Sequence, residues 1–286
     1  MKSIKNMFVL FIGLLFVQVT LGSDLIEAKE LAKIMKDKNV VLISAQKSSL
    51  YNDFHITGSI SLPPALLVDN EPIKYVLKDV SEMEKIIGSK GVSQTNQIII
   101  YDEGSSKYSG RLYWVFKYLG VQDVKILNGG IESWKAIRKP VTATATKRKA
   151  TTFTANVQPQ YMATFSEVKA ATNDPKYVII DSRSAKEYAG TDETKLRKGH
   201  IPNAVHIEYK DLLASNGKLK TAEQLRTLYV AKGVTPDKTV IIYCKTSVRA
   251  AIEFAALSSI LGYENVKVYD GAFSEWSSDT STEVVL

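Results

Sequence analysis

One cysteine occurs in the 286 residues, Cys244, and the residue types around it are those that make a thiol reactive. It closes an apolar run, Val240-Ile-Ile-Tyr243, and is followed by Lys245-Thr-Ser-Val-Arg249. Val248, Ile252, Ala255, Ala256 and Ile260 then recur at helical spacing, so the pattern predicts a strand, a tight loop and a helix over 248–261. Backbone N–H groups in a loop that opens a helix attract anions. Lys245 and Arg249 add two fixed positive charges. Such a setting favours the thiolate, which is the nucleophilic form of cysteine. The bland alternative is a small core residue, the usual fate of a solitary cysteine after an apolar strand. The flanking cations count against it, because an inert thiol gains nothing from them.

The rest of the composition limits the function classes. With 45% hydrophobic and 23% charged residues, the chain has material for the cores of one large or two ordinary globular domains. The net charge of +7 comes from scattered Lys and Arg, with no nucleic-acid reading motif; a basic surface suits small anionic substrates better. Three histidines and one cysteine without clustered spacing support no metal site, and no cofactor is expected. At the N-terminus Lys2 and Lys5 precede an apolar run from Met7 to Val19, and small residues follow at Thr20-Leu-Gly-Ser23. This is the order of a secretory signal peptide over 1–23, cleaved near Gly22 or Ser23. The run is shorter than the roughly 20 residues of a membrane span, so no stable membrane anchor is expected. The mature chain is expected to be exported, periplasmic or secreted, and monomeric. A lone thiol kept outside the cytoplasm is a liability unless its chemistry is used.

The sequence repeats itself. A shift of 142 positions, the distance from Asp102 to Cys244, lays Ile98-Ile-Ile-Tyr-Asp102 over Val240-Ile-Ile-Tyr-Cys244. The same shift lays the segment Leu119 to Trp134 over Leu261 to Trp276. A period this long is a domain duplication, since solenoid repeats run to about 20–50 residues. Within the second half, strands are expected at Tyr177–Ile180, Ala204–Ile207, Val240–Tyr243 and Val266–Tyr269. Helices are expected from Ser184, over Thr221–Lys232, over 248–261 and from Gly271. Strands alternating with helices predict an α/β fold with a parallel sheet flanked by helices in each half. The boundaries read as 24–140 and 161–286, joined by a Thr/Ala-rich linker over 141–160, part of which is expected to pack as an extended strap. His55 and His200 are expected in structural turns. Trp134 and Trp276 recur and are expected in the core. Arg111 has no counterpart in the second half and is expected to meet a carboxylate near the domain interface.

Asp181-Ser-Arg183, Gly199-His-Ile-Pro-Asn-Ala204, Tyr243-Cys-Lys-Thr-Ser-Val-Arg249 and Tyr269-Asp-Gly-Ala-Phe-Ser-Glu-Trp276 occur in order. In this order and spacing the two halves resemble the tandem rhodanese domains of the sulfurtransferases. The resemblance implies a non-catalytic first domain, with Asp102 at the cysteine position, and a catalytic second one. It implies transfer of sulfane sulfur through a Cys244 persulfide, from a small anionic donor to a thiol or cyanide acceptor. The loop residues Lys245, Thr246, Ser247, Val248 and Arg249 would bind the donor. Arg183 is a further donor-binding candidate, or else an ion-pair partner of Asp181 or Glu187. Cys-x4-Arg is one residue shorter than the loop of the related phosphatases, which favours sulfur. Lys245 leans toward thiosulfate; 3-mercaptopyruvate, or a role as non-enzymatic persulfide carrier, are the alternatives.

Overall fold

A computed structural model describes residues 23–286. The expected signal peptide, apart from Ser23, lies outside the described residues. Each half carries a five-stranded sheet with every neighbouring pair parallel. The first sheet runs Leu25–Ile26, Val124–Leu127, Gln97–Tyr101, Val40–Ser44, Ile60–Ser61. The second runs Met162–Ala163, Val266–Tyr269, Thr239–Tyr243, Tyr177–Asp181, Ala204–His206. The strand that leads into Asp102 and the strand that leads into Cys244 thus hold the same central place in the two sheets. Their β-branched runs suit it, because a central parallel strand is covered on both faces.

Alternation along these strands sorts the side chains into separate cores. Ile99 and Tyr101 face a cluster confined to the first half, with Leu127 and Trp134. Ile241 and Tyr243 face its counterpart in the second half, with Phe273 and Trp276. Ile98, Ile100, Val240, Ile242 and Cys244 face a third cluster that draws on both halves and joins them. The helices Lys107–Tyr118 and Ala250–Ala255 pack against each other inside this shared core. Their crossing is close. A Cβ placed on Gly110 would lie 2.8 Å from the backbone N and Cα of Ile252.

The helix after the cysteine loop differs from the expected 248–261. It starts at Ala250, because residues 245–249 curl as a loop with Ser247 at φ +60°, and it widens into a π-helical segment over Ala256–Ile260. The Ser258 hydroxyl donates to the Phe254 carbonyl at 2.6 Å, a bond that competes with the helical ladder. The 141–160 segment begins as a strand, Val141–Thr142, antiparallel to His55–Ile56. It then follows the first half: Phe153 is buried, and the N–H groups of Thr151, Asn156 and Gln158 donate to Gly88, Leu119 and Tyr118 carbonyls.

The helix crossing predicts that Gly110→Val destabilises the protein by about 1–3 kcal/mol, since the added atoms meet backbone that cannot rotate away. Chemical denaturation checks it. An unchanged midpoint would mean that the two helices do not need this close approach.

Candidate active site

The cysteine loop hangs between two anchored strand ends. Cys244 follows the last residue of its strand and is 1% exposed. Its carbonyl accepts the Phe273 N–H at 2.9 Å. The next carbonyl, of Lys245, accepts the N–H and the hydroxyl of Ser274 at 3.1 and 2.6 Å. Ser247, fully buried, turns the loop through the left-handed region. Its hydroxyl donates to the carbonyls of Tyr269 and Asp270, at 2.6 and 2.9 Å. Ser247 is therefore a brace for the loop. Thr246 and Val248 are half-buried, and Lys245 projects into solvent. Among the described residues, the N–H groups of 245–249 donate to no protein acceptor. N–H groups that no protein group takes up are available to an anion or to water.

The first half shows what such a loop does with an anion. At the cysteine position stands Asp102, fully buried. Its carboxylate accepts the N–H groups of Gly104, Ser106, Tyr108 and Ser109, at 2.9, 3.1, 3.1 and 3.1 Å. The Ser109 hydroxyl adds a bond at 3.3 Å. The chain fills this cradle with its own side chain.

Arg249 lies beside Cys244, and its guanidinium is gripped by Glu187. The two terminal nitrogens donate to the two carboxylate oxygens at 2.6 and 2.8 Å, the bidentate geometry that arginine favours. Burial lowers the Arg249 pKa, but bonding to Glu187 and the charges of Cys244 and Glu187 outweigh it and hold it above the ordinary arginine value. Burial would raise Glu187, but Arg249 and the Ser184 donors bring it down to about 2. Glu187 was visible in the sequence only as a possible partner for Arg183. The signal for its real position was Ser184-x-x-Glu187, a capping box that starts a helix at Ala185.

Arg183 was expected either to bind the donor or to pair with a carboxylate, and in the structure it is paired. It is 4% exposed and pairs with Asp181, its Nε at 3.0 Å and a terminal nitrogen at 2.6 Å. The same terminal nitrogen donates to the Gly199 carbonyl at 2.7 Å, and the guanidinium lies 3.9 Å from the Phe273 ring centroid. Phe273 and Tyr243 belong to the outer core, while Cys244 faces the inner one. Of the two readings, the ion pair with Asp181 describes the arrangement.

The second half does not complete the site alone. Arg111, fully buried in the first half, meets Asp270 at 2.6 Å across the junction. Asp270 also accepts the Leu77 N–H at 2.8 Å, while its carbonyl holds Ser247. The expected meeting of Arg111 with an interface carboxylate thus has its partner. At the place matching Arg111, the second half carries Glu253, fully buried and pushed up to about 8 by burial. His200 and His55 bond backbone carbonyls of Tyr188 and Tyr51 in matching turns. No cluster that could hold a metal ion occurs among the described residues.

Comparison with known proteins places this geometry. A family model, the rhodanese-like domain, matches residues 27–137 and again 164–279. A Mycobacterium leprae protein named "Putative thiosulfate sulfurtransferase" is 31% identical over 92% of this chain and 98% of its own length. The 3-mercaptopyruvate sulfurtransferase of Escherichia coli K12 is 32% identical over 89% of each chain. The solved structure of the Escherichia coli 3-mercaptopyruvate sulfotransferase SseA superposes with a TM-score of 0.80 at 29% identity, covering 87% of this chain and 98% of that one. An anaerobic ergothioneine biosynthesis enzyme from Chlorobium limicola shares the fold, with a TM-score of 0.84 at 20% identity over 91% of this chain and 69% of its own.

The Glu187 pair carries an acid signature. Its folded pKa lies near 2, below the ordinary value of 4.5, so its contribution is complete above pH 4.5 and is lost as the pH falls toward 2. Wild type is expected to be more stable than Glu187→Gln at neutral pH, with the gap closing over that window. Denaturant midpoints of both proteins across pH 2–7 check it; a gap that does not change with pH would show that the pair contributes no charge-dependent stability.

Proposed function

This chain belongs to the rhodanese family and is an enzyme of the rhodanese type, and we propose that it moves sulfane sulfur from thiosulfate, or a related small anionic donor, to a thiophilic acceptor through a persulfide on Cys244. The observation that carries the reading is the pairing of the one cysteine with a loop whose N–H groups have no protein acceptor. The Cys244 thiolate attacks the outer sulfur of thiosulfate. The S–S bond of the donor breaks, sulfite leaves with the bonding pair, and Cys244 carries an anionic persulfide. Cyanide or a cellular thiolate then attacks the outer sulfur, the Cys244–sulfur bond breaks, and the thiolate returns. This is double displacement, with the protein nucleophile splitting one transfer into two. Loop N–H groups, taken up by no protein acceptor among the described residues, are the donors left to stabilise the anion at both stages. Lys245 offers a cation to the donor on entry. The Asp102 loop supplies no nucleophile, and the first half serves as one wall of the site and as the source of Arg111.

The mass of the intact protein after incubation with thiosulfate is expected to rise by one sulfur atom, and cyanide is expected to remove it. Cys244→Ser is expected to gain no mass and to lose turnover entirely. Turnover in that variant would sink the persulfide reading, and a single loading without turnover in wild type would mark a carrier. The N-terminal run supports export to the periplasm or medium. N-terminal sequencing of the protein recovered from cell fractions checks it: a chain starting near Ser23 is expected, and one starting at Met1 in the cytoplasm contradicts export.

A further inference from the structure

Glu187 belongs to neither the cysteine loop nor the donor-binding set inferred from sequence, yet it decides how much positive charge the loop offers. The strand Tyr177–Asp181 pairs with the cysteine strand, Asp181 beside Tyr243. Three residues past its end, Ser184 caps a one-turn helix, Ala185–Tyr188, and fixes Glu187 through both its N–H, at 3.0 Å, and its hydroxyl, at 2.9 Å. The carboxylate cannot swing into solvent without giving up these bonds. It faces Arg249, and the pair is only 21% and 16% exposed, so water screens it weakly.

Two consequences follow for an anionic donor. The planar fork of Arg249 is already occupied, since both terminal nitrogens donate to Glu187. That end of the guanidinium is closed to a second anion, which is left only the Nε edge for a bidentate clasp. The positive charge of Arg249 is also cancelled. Nearby Asp270 and Asp181 are likewise cancelled by Arg111 and Arg183. That leaves Lys245 as the loop's one side-chain cation outside an ion pair among the described residues. A donor with two negative charges gains less from such a site than it would from a loop with two uncompensated cations.

We propose that Glu187 is a specificity-determining residue: by neutralising and occupying Arg249 it restrains the dianionic donor thiosulfate relative to monoanionic donors such as 3-mercaptopyruvate. The inference rests on the persulfide reading of Cys244. Glu187 acts through Arg249 and takes no part in bond making. Its carboxylate stays ionised across the working pH range, so the restraint is constant there.

The test compares wild type with Glu187→Gln, which keeps the shape and the capping acceptor but removes the charge, and with Glu187→Asp, which keeps the charge but shortens the reach. Steady-state kcat/KM is measured for thiosulfate and for 3-mercaptopyruvate with cyanide as the common acceptor. One unit charge several ångströms away in a partly screened site changes the preference between a dianion and a monoanion by about tenfold. Glu187→Gln is expected to raise the thiosulfate to mercaptopyruvate ratio by about that factor, chiefly through KM for thiosulfate. Glu187→Asp is expected to stay within about twofold of wild type. A second readout needs no sulfur chemistry: the ratio of Cys244 alkylation rates with iodoacetate, an anion, and iodoacetamide, which is neutral. Thiolate reactivity cancels in that ratio, so it reports the local potential, and Glu187→Gln is expected to raise it. Unchanged ratios in Glu187→Gln, or both donors losing activity together, would overturn the proposal, as would Glu187→Asp behaving like Glu187→Gln. A wild type that moves sulfur from neither donor would defeat the persulfide reading alone, and the alkylation ratio would still decide what Glu187 does.

Discussion

A buried carboxylate that cannot be left alone sets the relation between the two halves. Asp270 follows the strand Val266–Tyr269 and is 4% exposed. An isolated ion in such a place costs several kcal/mol, and removing the partner of a buried pair typically costs about 3–5 kcal/mol. The partner comes from the other half: Arg111, fully buried on the helix Lys107–Tyr118 and lying 4.7 Å from the Trp114 ring centroid. Leu77, also from the first half, gives its N–H to the second oxygen. The carbonyl of the same residue takes the Ser247 hydroxyl that braces the cysteine loop. Two bonds thus separate the first half from the loop. A second half standing alone would expose the shared core and strand Asp270 without its cation. This gives a physical reason for keeping a first half whose own loop holds no thiol.

The duplication preserves geometry more faithfully than charge. Leu77 N–H to Asp270 is mirrored by Leu219 N–H to Asn128, at 3.0 Å, from the second half to the first. Tyr101 and Tyr243 both accept a backbone N–H at the hydroxyl, from Ile56 and Ile201. Tyr51 stacks on His55 as Tyr188 stacks on His200, each with centroids 3.7 Å apart. The halves part where charges are placed. The buried Asp181–Arg183 pair is replaced in the first half by Ser44 and Gln46, bonded at 2.9 Å. Asn128 stands opposite Asp270, and Arg111 opposite Glu253. Backbone turns and aromatic anchors hold the fold, so they persist in both halves; ionic groups are free to specialise the two loops.

That division explains how much could be read from the chain. The parallel α/β architecture was legible because short continuous apolar runs and helical patterns depend on local sequence alone. The strand Tyr177–Asp181 differs from the expected Tyr177–Ile180 by one residue, and Val266–Tyr269 agrees at both ends. The prominence of Cys244 followed from its solitude and its neighbours. What could not be read was pairing. Arg183 and Arg249 are both arginines near carboxylates in sequence, and their partners depend on which face of the sheet each reaches. Arg183 turns to the Phe273 face and Arg249 to the face of Cys244, so Glu187 goes to the latter. Likewise the contact of Gly110 with Ile252 and the reach of Arg111 to Asp270 join residues far apart in the chain, and no periodicity announces them. The early end of the α-helix at Ala255 had a local cause in Ser258, but serine at one position is too common in helices to read as a break.

The two loops can be understood as two answers to one requirement. A turn that points several N–H groups at one place must be given an anion or leave those groups unsatisfied, at about 1–3 kcal/mol each where water is excluded. In the first half Asp102 supplies the anion permanently, each carboxylate oxygen lying one bond beyond Cγ. In the second half the side chain ends at Sγ, one atom short. A sulfur added to Cys244 lies one bond beyond Sγ, as those oxygens lie beyond Cγ, and carries the negative charge. The persulfide is therefore the species of cysteine that resembles the Asp102 carboxylate in reach and charge, and the unloaded thiolate is the shorter of the two. On the persulfide reading proposed above, the loop would favour the loaded form over the free one by the same N–H chemistry that the first half displays with a fixed side chain. Stabilising the intermediate too strongly would stall transfer to the acceptor. Compensation of Arg249 by Glu187 would work against that excess in the proposed cycle, since it removes one full charge from beside Cys244 while leaving the backbone donors in place.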